Sequence, residues 1–138
     1  MKKKDKLIIA AALSGGGVFK NNNPNVPYMP EEFADDAQRC FQEGVSIVHI
    51  HARDPETGMP TENINIIRET VEAIQKHCPE LIINLSTGIT TNLTPEQRIA
   101  PVLELKPEIA SLNTASRNDG LTDHRTGEVL FEYVFENP

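Results

Sequence analysis

The amino-acid sequence predicts an α/β domain with parallel strands, and two observations lead to this class. Short apolar runs begin near residues 7, 45, 81 and 108, and segments with the 3.6-residue periodicity of helices lie between them. The resulting order, β-α-β-α-β-α-β, is typical of parallel strands joined by right-handed crossovers. The chain of 138 residues has the length of a single domain.

Charge and cysteine content narrow the possible classes of function. The 13 basic and 20 acidic side chains give a net charge of −7. A negative field of this size repels nucleic acid and anionic membranes, so we expect neither as a partner. The two cysteines, Cys40 and Cys78, show no metal or redox spacing. We therefore expect reduced thiols and a cytoplasmic protein.

The first strand is predicted over residues 7–13, a continuous apolar run that suits burial on both faces. The lysine-rich residues before it resemble a secretory signal, but the apolar run is short and Asp5 interrupts the basic part. No apolar run approaches the length of a membrane span. The strand ends at Ser14 and three glycines, which could bind an anion but lack the spacing of a phosphate-binding loop.

A polar, proline-rich loop over residues 21–30 precedes the first helix. Its length suits either a functional cover over one end of the domain or a plain surface loop. Pro30 begins the helix and Gly44 ends it. The apolar stripe of this helix is predicted to comprise Phe33, Ala37, Cys40 and Phe41.

The second strand, over residues 45–51, carries a His-x-His pair. One face of this strand is predicted to carry Val45, Ile47, His49 and His51. Same-face positions lie about 6.6 Å apart, so two imidazoles could bind one ion but are expected to be too far apart for a useful mutual hydrogen bond. A single histidine is more often a core or rim residue, whereas a pair that closes an apolar strand favours a metal such as zinc.

A second helix and a third strand follow. The helix is predicted over residues 63–77 and is stopped by Pro79. Its inward-facing residues are predicted to be Ile67, Val71 and Ile74. The third strand covers residues 81–86 and runs directly into a Ser-Thr-Gly string.

The last part of the chain begins with a capping box. Thr94 is followed by proline and, three residues later, by glutamine, which predicts a third helix to about Leu105. A fourth strand is predicted over residues 108–113. Residues 114–128 have the composition of a loop, and residues 127–135 could be an extended segment.

Polar residues follow all four predicted strands. They are Ser14 and Gly15, then His49 and His51, then Ser86, Thr87 and Gly88, and finally Ser111 and Asn113. The carboxyl ends of parallel strands meet at one edge, where the sites of such folds form. Each group alone can be interpreted as ordinary turn or helix-cap residues. Four such groups at one edge of the sheet predict a single site.

Several segments of the chain resemble the β-keto acid cleavage enzymes, in the right order and over nearly the whole length. They are HIHARDP at 49–55, NLSTG at 84–88, RIAP at 98–101, KPEIASLN at 106–113 and FEN at 135–137. The resemblance implies a (β/α)8 barrel, known as a TIM barrel, with Zn²⁺ at its carboxyl-end rim. It also implies an amino-acid-degrading reaction in which a β-keto acid and acetyl-CoA give acetoacetate and a new acyl-CoA.

The resemblance also implies roles for particular residues. His49 and His51 would be zinc ligands. A substrate carboxylate would be held by the hydroxyl and backbone N–H groups of Ser86, Thr87 and Gly88, in a pocket also lined by Ser111 and Asn113. Arg53 and Asp54 could orient a ligand, but a structural ion pair is the preferred interpretation, so neither is assigned to the site.

The chain departs from the family pattern in two ways. Members that cleave an aminohexanoate have a glutamate that meets the substrate amino group, and the aligned residue here is Gly17. Members are also about twice as long, and their later strands supply a third zinc ligand, a glutamate, and an Arg/Asp pair for the base chemistry. Residues 1–138 are therefore expected to form about the first four β/α units, a half barrel.

A half barrel leaves strand edges and an apolar face uncovered. Either the chain is a truncated version of a longer protein, which we prefer, or a homo-oligomer or second chain completes the barrel.

Two other functions stay open. A metal-dependent hydrolase of the amidohydrolase kind also has His-x-His at a strand end, and a non-catalytic half-barrel subunit would bind a partner without chemistry.

Overall fold

The computed structural model describes residues 6–90, 92–114 and 117–135. Within these ranges lie a four-stranded sheet, three helices and a separate two-stranded hairpin. The sheet consists of β1 (Ala10–Ala12), β2 (Ile47–Ile50), β3 (Ile82–Leu85) and β4 (Ile109–Ala110). The helices are α1 (Pro30–Gln42), α2 (Ile64–His77) and α3 (Pro95–Leu105). The hairpin consists of β5 (Arg117–Thr122) and β6 (Val129–Phe135).

The four strands of the sheet run parallel in the order β1-β2-β3-β4, so each strand pairs with the next one in sequence. Because crossovers that step in one direction share one hand, the connecting helices lie on one face of the sheet. On that face α1 packs against α2, and α2 packs against α3. This order is the one found in half of a (β/α)8 barrel, and it confirms the predicted fold class.

The core lies between the sheet and the helices. Strand residues that face the helices are buried, namely Val48, Ile50, Ile83 and Leu85. The helices contribute Phe33, Ala37, Ile67 and Ile74 to the same core. The alternate strand residues are half-buried, namely Ile47, His49, Ile82 and Asn84. The face of the sheet that carries His49 is therefore the more open one.

The start of α3 follows the predicted capping box, and α2 begins at a cap that was not predicted. Thr94 Oγ1 accepts a hydrogen bond from the N–H of Gln97 at 3.3 Å, and Gln97 Oε1 accepts one from the N–H of Thr94 at 2.9 Å. Pro95 takes the first position of α3, where its missing N–H costs nothing. At the start of α2, Asn63 accepts a hydrogen bond from the N–H of Asn65 at 3.0 Å.

The first strand differs from the prediction in length and burial. Leu7 and Ile8, which precede β1, are 83% and 71% exposed. In the described part of the chain β1 forms the edge of the sheet and pairs with β2 alone. The expected burial on both faces is therefore wrong for the described residues, because an apolar run predicts a strand but not the elements that cover its faces.

The apolar stripe of α1 is also placed differently. Phe33, Ala34 and Ala37 are buried, whereas Cys40 is half-buried and Phe41 is 37% exposed. The first two turns of the helix contact the core, and the last turn does so less. The prediction therefore missed Ala34 and wrongly included Phe41.

The hairpin corrects the prediction for the last part of the chain. Residues 117–122, predicted as a loop, form β5, which pairs antiparallel with β6. The extended segment predicted over 127–135 corresponds to β6, whereas residues 136 and 137 lie outside the described residues. Among the described helices, none has the length and apolar content needed to cross a membrane.

Candidate functional site

His49 lies in β2, and His51 follows directly after its end. Their rings lean toward each other, so that the two Nε2 atoms are 3.2 Å apart and the ring planes meet at 81°. The structure therefore brings the two predicted ligands together. The expectation that they are too far apart for a mutual hydrogen bond is wrong. It considered only the spacing of the backbone positions, whereas the two side chains lean toward each other and bring the ring nitrogens close.

The separation of the two Nε2 atoms also fits a shared metal ion. Two nitrogen ligands at the usual zinc distance lie about 3.3–3.4 Å apart in tetrahedral coordination, close to the observed 3.2 Å. Metal coordination would use the lone pairs of both nitrogens, whereas a mutual hydrogen bond needs one donor and one acceptor. Among the described residues, no group of three His, Cys, Asp or Glu side chains is placed to hold a metal. Further ligands would have to come from elsewhere.

The protonation state of His51 suits a ligand. Burial lowers its pKa to about 4, and the charges of His49 and Arg53 add to the effect. The imidazole is therefore neutral near pH 7, which is the form that binds metals. Its Nδ1 atom is buried and has no hydrogen bond of standard geometry in the described part of the chain, although a backbone contact with Gly88 partly opposes the lowering of the pKa.

Backbone from the ends of β1 and β3 lies against His51. A Cβ atom added to Gly16 would be 3.6 Å from Cε1 of His51, and one added to Gly88 would be 4.0 Å from the same atom. Ser14 donates a hydrogen bond from Oγ to the carbonyl of His51 at 3.2 Å. Three strand ends thus meet at this ring, in accordance with the predicted convergence.

The predicted substrate-binding residues are joined to one another. The N–H of Thr87 donates to Ser111 Oγ at 3.0 Å, and the hydroxyl of Thr87 donates to the Ser111 carbonyl at 3.0 Å. The N–H of Gly88 donates to Ser86 Oγ at 3.2 Å. The hydroxyl oxygens of Thr87 and Ser111 also lie 3.3 Å apart. A bound carboxylate would therefore use the hydroxyl proton of Ser86 directly and would displace the Ser111 hydroxyl from Thr87. Asn113 is half-buried and forms no hydrogen bond with these four residues.

The structure revises the interpretation of Arg53 and Asp54. The expected ion pair is not formed, because Arg53 donates to the backbone carbonyls of Gly58 and Gly15, each at 2.6 Å. Asp54 instead accepts backbone hydrogen bonds within its own turn, including one from Thr57 at 2.8 Å. Burial lowers the pKa of Arg53, but a guanidinium stays charged at neutral pH.

Sequence reasoning did not assign Asn84 to the site. Asn84 is paired in register with His49 on the neighbouring strand, so the two side chains share the open face of the sheet. The Oδ1 atom of Asn84 is buried and has no hydrogen-bond partner in the described part of the chain. A polar residue within an otherwise aliphatic strand, next to His49 on the neighbouring strand, was the signal that could have identified it.

Comparison with known proteins identifies relatives of this chain. The model of the beta-keto acid cleavage enzyme family matches residues 6–138. The chain is 43% identical over 116 residues to the 3-keto-5-aminohexanoate cleavage enzyme of Acetoanaerobium sticklandii. It is 37% identical over 121 residues to the 3,5-dioxohexanoate:acetyl-CoA acetone transferase of Paraburkholderia graminis. These matches cover 84% and 88% of this chain, but 42% and 39% of the relatives.

A solved structure shows the same fold. The ternary complex of ObcA with a C4-CoA adduct and oxalate matches with a TM-score of 0.59 at 22% identity, over 83% of this chain and 27% of that one. The relatives give no support to the hydrolase alternative. The family match extends over nearly all of the sequence and agrees with the resemblance found in its motifs, so the chain belongs to the beta-keto acid cleavage enzyme family.

Proposed function

We propose that this chain provides the metal-binding half of a zinc-dependent enzyme that cleaves a β-keto acid with acetyl-CoA, giving acetoacetate and a new acyl-CoA. The observation that carries the proposal is the 3.2 Å approach of the two Nε2 atoms of His49 and His51 at a strand end. The names of the relatives, a cleavage enzyme and an acetyl-CoA acetone transferase, support this class of reaction.

The residues of the chain would divide the work between metal binding and substrate orientation. Zinc held by His49 and His51 would stabilise the negative charge that develops on the β-keto oxygen when the adjacent C–C bond forms or breaks. The hydroxyls of Ser86 and Ser111 would orient the substrate carboxylate. Asn113 would line the same pocket, together with Thr87 and Gly88. The catalytic base is expected outside this chain.

The proposal requires more strands than the described residues supply. Four strands do not close a (β/α)8 barrel, and the chain spans less than half the length of the relatives it matches. We propose that further strands cover the open face of the sheet and supply the third zinc ligand. They would come from the rest of a longer chain, from a homo-oligomer or from a second chain.

Zinc content tests the proposal. Replacing His49 or His51 by alanine in a completed barrel should lower zinc affinity by more than about 100-fold, the upper end of the cost of changes outside the ligand sphere. Acetyl-CoA-dependent activity should disappear, while far-UV circular dichroism should stay unchanged. His77→Ala is the matched control, because His77 is exposed in the last turn of α2. Full zinc content in either site variant would refute the assignment.

Gly17 leads to a proposal about the substrate. An amino group on a bound β-keto acid needs a nearby carboxylate, and loss of such a charge partner typically costs about 2–5 kcal/mol. Nothing lies within 4 Å of a Cβ atom added to Gly17, so this position has room for a side chain but supplies no charge. We propose that the enzyme prefers a neutral or apolar β-keto acid.

The preference can be measured directly. The completed enzyme should favour a neutral β-keto acid over 3-keto-5-aminohexanoate by at least about tenfold in kcat/KM, since about 1.4 kcal/mol corresponds to a factor of ten. Gly17→Glu should shift the ratio toward the amino substrate. A preference of the unmodified enzyme for the amino substrate would show that another residue determines specificity.

A further inference from the structure

The guanidinium of Arg53 is a buried cation held by backbone carbonyls. The side chain is 0% exposed, and among the described residues no carboxylate forms a salt bridge with it. Burying a charge without a counter-ion is costly unless hydrogen bonds offset the lost hydration. The hydrogen-bond partners of Arg53 therefore indicate the structural role of this buried cation.

These contacts join two loops that are far apart in sequence. Nη1 donates to the carbonyl of Gly58 at 2.6 Å, in the turn after β2. Nη2 donates to the carbonyls of Gly15 at 2.6 Å and Val18 at 3.2 Å, in the loop after β1. One planar side chain thus holds both loops at fixed distances from β2.

The loop that Arg53 holds is the one that covers His51. Gly16 lies between the carbonyls bound by Arg53, and a Cβ atom there would be 3.6 Å from Cε1 of His51. Ser14, at the start of the loop, donates to the carbonyl of His51 at 3.2 Å. A shift of this loop would therefore alter the packing around a proposed metal ligand.

Two aromatic rings restrict the position of the guanidinium further. Its central carbon lies 5.4 Å from the ring centre of Phe19 and 6.0 Å from that of Tyr28, within the range of cation–π attraction. The Tyr28 hydroxyl accepts a hydrogen bond from the N–H of Lys20 at 2.9 Å. The aromatic residues of the segment after β1 thus pack around the same cation as its carbonyls.

We propose that Arg53 is a positioning residue that fixes the backbone of residues 14–18 against His51 and so maintains the geometry of the metal site. The part of this inference that concerns zinc rests on the proposed function, whereas the part that concerns the loop does not. Lysine should not replace arginine here, because a single ammonium group cannot contact both loops in the fork geometry.

Backbone NMR relaxation and zinc affinity test the proposal in the full-length protein. In Arg53→Lys and Arg53→Met, the order parameters of the backbone N–H groups of residues 14–18 should fall from about 0.85, typical of rigid backbone, to below about 0.6, while those of β3 stay unchanged. Zinc affinity, measured by competition with a chelator, should fall by about 10- to 100-fold, as for other changes outside the ligand sphere. Arg98→Lys is the control, because Arg98 is also buried, at 4% exposure, but lies in α3. It should change neither quantity.

The outcomes separate this inference from the proposed function. Unchanged order parameters in residues 14–18 of a folded Arg53 variant would overturn it, and so would an equal effect in Arg98→Lys. If the order parameters fall in the Arg53 variants but the unmodified protein binds no zinc, the positioning role is supported and the metal site is refuted. If both Arg53 variants fail to fold, the Nη protons of Arg53 are observed by NMR in the unmodified protein. Slow exchange of these protons supports the proposal, and rapid exchange with solvent overturns it.

Discussion

Two turns of this protein share a sequence pattern and differ in their surroundings. The first, which we name the site turn, covers residues 54–59 and has the sequence DPETGM. The second, which we name the hairpin turn, covers residues 123–128 and has the sequence DHRTGE. Both follow the pattern D-x-x-T-G, so they separate the effect of local sequence from that of tertiary contacts.

The backbone hydrogen bonds of the two turns are the same. In each turn the N–H of the aspartate donates to the carbonyl of the sixth residue, and the N–H of the glycine donates to the carbonyl of the aspartate, all at 2.8 Å. Gly58 and Gly127 have φ angles of 70° and 75°, in the left-handed region that favours glycine. Local sequence therefore determines the conformation of both turns.

The surroundings of the two turns are different. The hairpin turn joins β5 to β6, whose ladder supports it on both sides. The site turn has a single isolated bridge, between Arg53 and Pro60. It is supported instead by the hydrogen bond from Arg53 to the Gly58 carbonyl and by packing against Tyr28. Where strand pairing is missing, side chains from distant segments take its place.

The largest expected difference between the turns concerns their glycines. Gly127→Ala should destabilise the protein by about 1–2 kcal/mol, the cost of a left-handed conformation for a residue with a Cβ. Gly58→Ala should cost about 2–5 kcal/mol, because a Cβ there would lie 2.2 Å from the Tyr28 ring and overpacking adds about 1–3 kcal/mol. Urea denaturation of both variants measures the difference.

Removing the tyrosine ring provides the control. In a Tyr28→Ala background, the cost of Gly58→Ala should fall to that of Gly127→Ala, since the steric conflict is gone. Only Gly58→Ala should also weaken zinc binding in the unmodified background, because it disturbs the turn that Arg53 contacts. Equal costs for the two glycine variants would show that tertiary packing around the site turn contributes little.

Local signals in the sequence were sufficient for most of the fold. The capping box at Thr94 predicted where α3 begins, because caps involve neighbours within a few residues. The His-x-His pair likewise predicted two adjacent imidazoles. The D-x-x-T-G pattern occurs twice, so comparison of the two turns could have indicated the turn of the hairpin, whose first strand was predicted as a loop.

Contacts between distant segments were not predictable in the same way. Arg53 is followed by an aspartate, which suggested an ion pair, but its partners include carbonyls of residues 15 and 18. Carbonyl groups belong to every residue, so no side-chain pattern marks them as partners. The exposure of Leu7 and Ile8 had a similar cause, because an apolar sequence does not reveal which other elements cover it.

A smaller difference is expected for the threonines of the two turns. Thr57 Oγ1 accepts from the N–H of Met59 at 3.3 Å and donates to Asp54 Oδ1 at 2.9 Å. Thr126 Oγ1 accepts from the N–H of Glu128 at 3.2 Å. Replacing either threonine by valine should cost about 0.5–1.5 kcal/mol per lost hydrogen bond at most, and Thr57→Val should cost more. Urea denaturation of the two variants checks the order, and a larger cost for Thr126→Val would contradict it.

The smallest expected effect is a change in the titration of Asp54. Its pKa is lowered mainly by the hydrogen bond from the backbone N–H of Thr57, with the Thr57 hydroxyl adding to the effect. A carboxyl group whose pKa is lower in the folded than in the unfolded state stabilises the protein above the unfolded pKa of about 3.9. That stabilisation is lost as the pH falls through the folded pKa.

Carboxyl NMR titrations of the unmodified protein and of Thr57→Val measure this effect. The pKa of Asp54 should rise in Thr57→Val, because the hydroxyl no longer donates to the carboxylate, but should stay below its usual value since the backbone N–H still does. Asp54→Asn should keep the turn, because the amide oxygen of asparagine can accept the same backbone hydrogen bonds. When the pH is lowered below about 4, the free energy of unfolding of this variant should fall less than that of the unmodified protein. An unchanged pKa of Asp54 in Thr57→Val would mean that the backbone alone determines it.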